Sequence, residues 1–207
     1  MCIDKQVEGV FMASKVMMVV ALIFVCWGSG CGIYDRHVHL VSNQAMAGVH
    51  SDRGGSIYVE MPSCPRLIKK GKKSHVLGEI DIGGSPNAGS MLTTDSVPEW
   101  LADALCMELR VAGFTPQLVE KLPLTADHGI ATYLVKVWLD GAAFTRFSAV
   151  DATADLHLRM TLYRRGEVVK EFDAKGTGCG EPQESLTIAL ENCMRKAVPI
   201  IVAGLNE

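Results

Sequence analysis

The sequence predicts an α+β fold, an antiparallel sheet of about five strands with two amphipathic helices packed on one face. Three observations carry that expectation. Residues Asp151 to Tyr163 alternate strictly between apolar and polar, and a turn and a second extended run follow. Two stretches, opening at Ser96 and at Glu181, repeat apolar residues at helical spacing. The order strand, strand, helix, strands, helix suits helices segregated to one side of an antiparallel sheet.

Ahead of the fold lies a leader. Lys15 supplies a positive charge, Val16 to Trp27 form an uncharged apolar run, and Gly28, Ser29 and Gly30 precede Cys31. The run is too short to span a bilayer and suits the core of a signal peptide. Gly28-Ser29-Gly30-Cys31 reads as a lipobox, in which the Cys31 thiol acquires palmitate-type chains and becomes the new N-terminus; Gly28 stands where a lipobox usually has Leu, and the alternative is an ordinary cysteine after a common secretory signal. Met1 to Phe11 carry Asp4, Lys5 and Glu8, net acidic where a signal should start basic, so translation is expected to begin at Met12. Residues 1–30 are then signal peptide, 31–54 a lipidated flexible tether without sustained periodicity, and 55–207 a single domain.

Within that domain Ser56 to Met61 alternates, with Ile57, Val59 and Met61 on one face, and Pro62-Ser63-Cys64-Pro65 ends the strand. Val76 to Ile82 alternates again. The lysine-rich run 69–73 and the stretch GGSPNAG at 83–89 read as loops. Ser96-Val97-Pro98-Glu99 is a capping box: the Ser hydroxyl can accept from a free amide of the first turn, and Glu99 favours the positive end of the helix. Val97, Leu101, Ala104, Leu105, Leu109 and Ala112 then share a face, and Gly113 suits a left-handed C′ position. Tyr133 to Leu139 is strand-like, and Ala142 to Val150 reads as its continuation past a bulge at Gly141. Ala152, Ala154, Leu156, Leu158, Met160 and Leu162 define the dry face of the next strand. Arg164 to Glu167 makes the turn, and Val168 to Lys175 returns as the partner. Leu186, Ala189, Leu190, Cys193, Ala197 and Ile201 line the last helix, which Pro199 is expected to kink or end.

A net charge of −3 shows no basic stripe and argues against nucleic acid as a partner. Beyond Cys31 stand Cys64, Cys106, Cys179 and Cys193, and an exported compartment permits disulfides. Cys106 and Cys193 fall in helices and read as buried thiols. Cys64 and Cys179 sit in expected loops and are the pair to bridge, if any does. No C-x-x-C occurs.

The segments VPEWLADALCMELRVAGF at 97–114, ATADLHLRMTLYRRGEVVKEFDAKGTG at 152–178 and ESLTIALENCMRKAV at 184–198, with the lipobox, resemble the YajG-like family of uncharacterised bacterial lipoproteins. The likeness spans most of residues 55–203. It implies an envelope lipoprotein without assigned role and supplies no catalytic residues. More distantly the layout is similar to envelope assembly lipoproteins and to lipoproteins accessory to ABC transporters, a likeness of fold alone.

Candidate chemistry is sparse. His37, His39 and His50 could ligate a metal, but no carboxylate or cysteine at fixed spacing completes a site, and a solvated linker is the better reading. Asp155, His157 and Arg159 share a strand face, yet acid–base work needs a third partner, so a polar sheet face is preferred. Gly176-Thr177-Gly178-Cys179-Gly180 lacks the spacing of a dinucleotide or phosphate loop and reads as a turn into the last helix. The lysines at 69–73 could touch anionic headgroups, though a solubilising loop suffices. No cofactor, metal or catalytic residue is expected. The function expected is that of a non-enzymatic envelope lipoprotein, held to the membrane through Cys31, that binds or scaffolds an envelope protein partner. The alternative is an accessory lipoprotein of an ABC-type lipid or solute transport system. Gly32 follows Cys31 where an inner-membrane retention signal would place Asp, which points to the inner leaflet of the outer membrane, facing the periplasm, in a Gram-negative cell.

Overall fold

The computed structural model describes residues 34–42, 48–51, 54–145 and 147–206. The leader and Cys31 lie outside the described residues. The elements are β1 (Tyr34–His37), β2 (Gly55–Glu60), β3 (Ile68–Lys70), β4 (Ser74–Ile82), β5 (Ser85–Thr93), α1 (Val97–Val111), β6 (Phe114–Val119), β7 (His128–Ala143), β8 (Asp151–Arg164), β9 (Glu167–Gly180) and α2 (Pro182–Asn206).

The expected five-stranded antiparallel sheet is not what forms. The described strands make one nine-stranded mixed sheet, curled into a half-barrel with two helices. β7 is its spine. On one side it pairs along its length with β8, which pairs with β9, all antiparallel. On the other side β7 forks. Its first residues pair in parallel with β2, which carries β6 beyond it, and its last residues pair in parallel with β4, which carries β5 and then β1. Ser63 fills part of the fork: its N–H donates to Thr132 O at 2.9 Å and its O accepts from Leu134 N at 2.8 Å.

The long hairpin follows from the sequence. Every expected inward residue of β8, from Ala152 to Leu162, is buried. The turn at its tip has Arg165 and Gly166 both at positive φ, the pairing that two-residue hairpin loops require. The expected N-cap also forms: Ser96 Oγ accepts from Glu99 N at 3.4 Å, and Gly113 takes φ +95° after the helix.

Other expectations are corrected. Tyr34 to His37, read as tether, pair with β5, and Val38 is buried in the core. Of the loop at 83–89 only Gly83 and Gly84 turn; β5 begins at Ser85. Pro86 is tolerated because, among the described residues, β1 reaches only Gly89 to Leu92, so β5 has a single described neighbour at that point. Phe114 to Val119 form a strand that lacks clean alternation and contains Pro116, admissible because β6 is a sheet edge. β7 ends at Ala143, and its bulge lies between Leu134 and Lys136, not at Gly141. GTGCG is the end of β9 rather than a turn. Pro199 does not stop α2, which continues to Asn206; Pro199 is on the solvent side while Val198, Ile201 and Val202 beside it are buried. The core is one continuous cluster joining the inward residues of β2, β4, β7 and β8 to α1 and α2.

Candidate functional site

β8 presents Asp155, His157 and Arg159 outward, and β9 supplies the partner that the sequence left open. Asp173 sits opposite Arg159 and diagonally from His157. Its Oδ1 lies 3.1 Å from His157 Nε2 and 3.3 Å from Arg159 Nε, and Arg159 Nε is 3.6 Å from Glu171 Oε1. Asp155 instead accepts from Lys136 Nζ at 2.8 Å. His157 Nε2 close to its oxygen, reinforced by Arg159, holds the Asp173 carboxyl below its usual range against a smaller opposing effect of desolvation. The result is a ladder of alternating charge on the wetted face of the hairpin. His157 is half-buried and its Nε2 is turned from solvent toward Asp173, so the pair is part of the packed ladder.

All four described cysteines are free thiols. Cys64 Sγ lies 3.8 Å from Pro62 O, and burial pushes its thiol up to about 11. Cys179 is exposed on β9 opposite Thr153, with Sγ 3.8 Å from Thr153 Oγ1. Cys64 follows Ser63, which is level with Tyr133 and hence Arg159, so six residues of β8 separate the two cysteines along the strand. That is about 20 Å, far beyond disulfide reach, and the expected Cys64–Cys179 bridge is absent. Burial pushes the Cys193 thiol up to about 12.

His37 stands on β1 opposite Leu92, His39 Nδ1 is 3.5 Å from Asp95 Oδ2, and His50 is exposed. Among the described residues no group of three or more His, Cys, Asp or Glu is placed to hold a metal ion, and no helix is long and apolar enough to cross a membrane. The lysine run divides. Lys69 and Lys70 belong to β3, and Lys70 Nζ donates to Asp35 Oδ1 at 2.8 Å and to Ser90 Oγ at 3.2 Å, tying β3 to β1 and β5. Lys72 and Lys73 are exposed in the turn.

At the fork of β7 lies a cavity of about 150 Å³ lined by Leu67, Ile68, Val76, Leu134 and Val137. It has room for one small ring and not for an acyl chain. The more pronounced features are apolar side chains left in water at the two ends of the spine. At one end Phe144 is 87 % exposed and Phe147 99 %. At the other, around the Arg165–Gly166 tip, Leu124 is 87 % and Val168 58 % exposed, with Val169 exposed next in sequence. The backbone of Leu124 lies against Gly166, and Arg165 N donates to Ala126 O at 3.0 Å, so this loop is fastened to the hairpin tip. The 16 residues of β7 separate the ends by about 50 Å.

The free edge of β9 is half covered. Lys196 Nζ donates to Lys175 O at 2.7 Å and Asn192 Nδ2 to Thr177 O at 2.8 Å, so α2 caps edge carbonyls in its C-terminal half. Among the described residues, Glu167 to Glu171 and Asp173, toward the hairpin tip, are exposed, and this stretch carries Val168 and Val169. Sequence reasoning missed Phe144 and Phe147 by reading 142–150 as strand. Their spacing of three, which breaks the two-residue period, was the available signal.

The geometry is that of a curled mixed sheet with exposed apolar side chains at its ends. Among solved structures it is similar to protein XCC0632 from Xanthomonas campestris, described by the family model DUF330, at 15 % identity, covering 84 % of this chain and 93 % of that one with a TM-score of 0.46. It is also similar to a crystallised uncharacterised protein (12 % identity, 84 % and 99 % covered, TM-score 0.41). A neuraminyllactose-binding hemagglutinin homologue from Helicobacter pylori gives 9 % identity, 82 % and 92 % covered, and a TM-score of 0.38. No family model matches the chain, and no curated protein matches it.

Proposed function

We propose that this chain is a lipid-anchored envelope protein of the YajG-like kind, without catalytic activity, that holds an envelope protein partner at the hairpin-tip end of its sheet. The anchor is acylated Cys31, and the body faces the periplasm from the inner leaflet of the outer membrane. One observation carries the partner reading: Leu124, Val168 and Val169 are exposed together beside the uncovered half of the β9 edge. An unpaired edge offers backbone donors and acceptors, and flanking apolar side chains add area and register. An ABC-type accessory lipoprotein that itself carried an apolar ligand would need a chamber between helices and sheet. The residues there, including Leu101, Leu105, Ile130, Leu158 and Leu190, are shut from solvent in a continuous core. Docking at an edge is therefore the reading the geometry favours.

A photo-crosslinking residue at Val168, in cells, tests it. One dominant protein adduct there, absent when the same residue replaces Thr153 at the opposite end of the hairpin, is the expected result. Equal labelling from both sites, or none from Val168, refutes partner docking at this end. Mass analysis of the mature N-terminus tests the anchor: an unmodified Cys31, or a retained leader, removes it.

A further inference from the structure

We propose that the opposite end of the sheet is a membrane-contact surface, with Phe144 and Phe147 seated in the interface of a neutral phospholipid bilayer while the hairpin tip points away from it. This rests on the acylation of Cys31 proposed above.

Three features of the topology converge on it. First, β1 runs parallel to β5, β5 runs antiparallel to β4, and β4 runs parallel to β7. The start of β1 and the end of β7 therefore lie at the same end of the sheet. Tyr34 pairs with Gly89, Gly89 with Ile80, and Ile80 with Gly141, so Tyr34 is level with a residue three positions before Phe144. Three strand spacings separate them laterally, about 15 Å.

Second, Cys31 is three residues before Tyr34, and three residues span at most about 11 Å. Acyl chains on Cys31 must enter the bilayer within that reach of the sheet end that bears the two phenylalanines. The hairpin tip, about 50 Å away along β7, is out of range.

Third, Phe144 and Phe147 leave the body almost wholly in water, although Gly83 N bonds Ala143 O at 3.0 Å and fastens the start of their loop to the β4–β5 turn. Singly exposed apolar residues are ordinary on a protein surface; two phenyl rings three positions apart, at the end where a lipid must enter, form a patch with an occupant at hand. A second apolar contact also complements the acyl chains, because it fixes how the tethered body stands. Asp81 and Asp151, level with Ala142 at the same end, and Arg146, between the two phenylalanines in sequence, bring charge of both signs to this end, so the fitting surface is a zwitterionic one.

The test uses the full, acylated chain reconstituted in phosphatidylcholine vesicles that contain brominated acyl chains. The emission added by Phe147→Trp is expected to shift to the blue and be largely quenched by shallow bromines. The emission added by Val168→Trp is expected to be unaffected. Mass analysis of the same samples reports the lipid on Cys31. Acylated protein whose Phe147→Trp emission is not quenched overturns the membrane contact and leaves the anchor standing. Equal quenching at both positions means the body lies flat and also overturns it. A blue shift that lipid does not quench, and that grows with protein density, assigns the loop to a second copy and overturns it as well. Loss of the lipid from Cys31 removes both readings together.

Discussion

The packing of α2 onto β9 makes a sharp prediction at Gly176. A Cβ built there would sit 1.9 Å from Ala189 O and 2.7 Å from Cys193 N, both backbone atoms of α2. Gly178, two residues on, meets Ser185 O in the same way at 2.0 Å. Neither obstacle can rotate aside, so Gly176→Ala forces the helix back by about 1.5 Å to restore an ordinary carbon–oxygen contact. A retreat of even 0.5–1 Å forfeits roughly a quarter to a half of each dispersion well along the interface. Leu186, Ala189, Leu190, Cys193 and Ala197 are buried in that interface and all lose contact. Alanine would gain about 0.5–1 kcal/mol over glycine in a strand interior, and that gain is the smaller effect. Overpacking typically costs about 1–3 kcal/mol, and a backbone-limited clash belongs at or beyond its upper end. A net loss of about 3 kcal/mol lowers Tm by roughly 6–12 °C for a domain of this size. Thermal unfolding followed by circular dichroism reads it directly, with Thr177→Ala on the exposed side of β9 as control. A Tm within about 2 °C of the parent for Gly176→Ala would show that the helix is not held against these glycines, and the reasoning would fail.

The alternation of β8 predicts that Leu158→Ala, at a fully buried site, costs about 2–5 kcal/mol, whereas Arg159→Ala next to it costs less than about 1 kcal/mol; chemical denaturation midpoints compare them. Ser96→Ala removes the acceptor for Glu99 N and is expected to lose about 1 kcal/mol by the same measurement. Because the Asp173 carboxyl is held below its usual value in the folded protein, its contribution is present above about pH 4 and disappears as the pH falls through the lower, folded value. Asp173→Asn should therefore flatten the acid side of a Tm-against-pH profile, and an unchanged slope would count against the ladder. Among the described cysteines, Cys179 alone is exposed, and Cys193 and Cys64 are buried or partly so with thiols pushed up to about 12 and about 11. A thiol reagent at pH 8 should give a single fast phase from the folded body, which Cys179→Ser abolishes.

Local chemistry was readable wherever a residue's neighbours in sequence are also its neighbours in space. The Ser96 cap, the dry face of β8 and the Arg165–Gly166 turn are all of this kind, because hydrogen bonds and pleat operate over a few residues. So is the argument for Cys31, which depends on a short run of charge, apolar length and small side chains. The charged ladder was half legible: β8 displays Asp155, His157 and Arg159, but Asp173 joins them only through the register of a second strand. The fork of β7, the parallel pairings of β2 and β4, and the strand at Ser85 to Thr93 were not legible. β2 and β4 alternate and read as strands, but nothing local names their partners, whereas β5 mixes Pro, Asn and Gly and becomes a strand because β4 and β1 supply its hydrogen bonds. The same long-range pairing brings Tyr34 level with Gly141. Residue patterns by themselves determined the helices and the hairpin. Only the folded sheet decided its mixed topology, the covering of its edges and the placing of Phe144 and Phe147, because strand pairing joins segments whose separation along the chain carries no local signal.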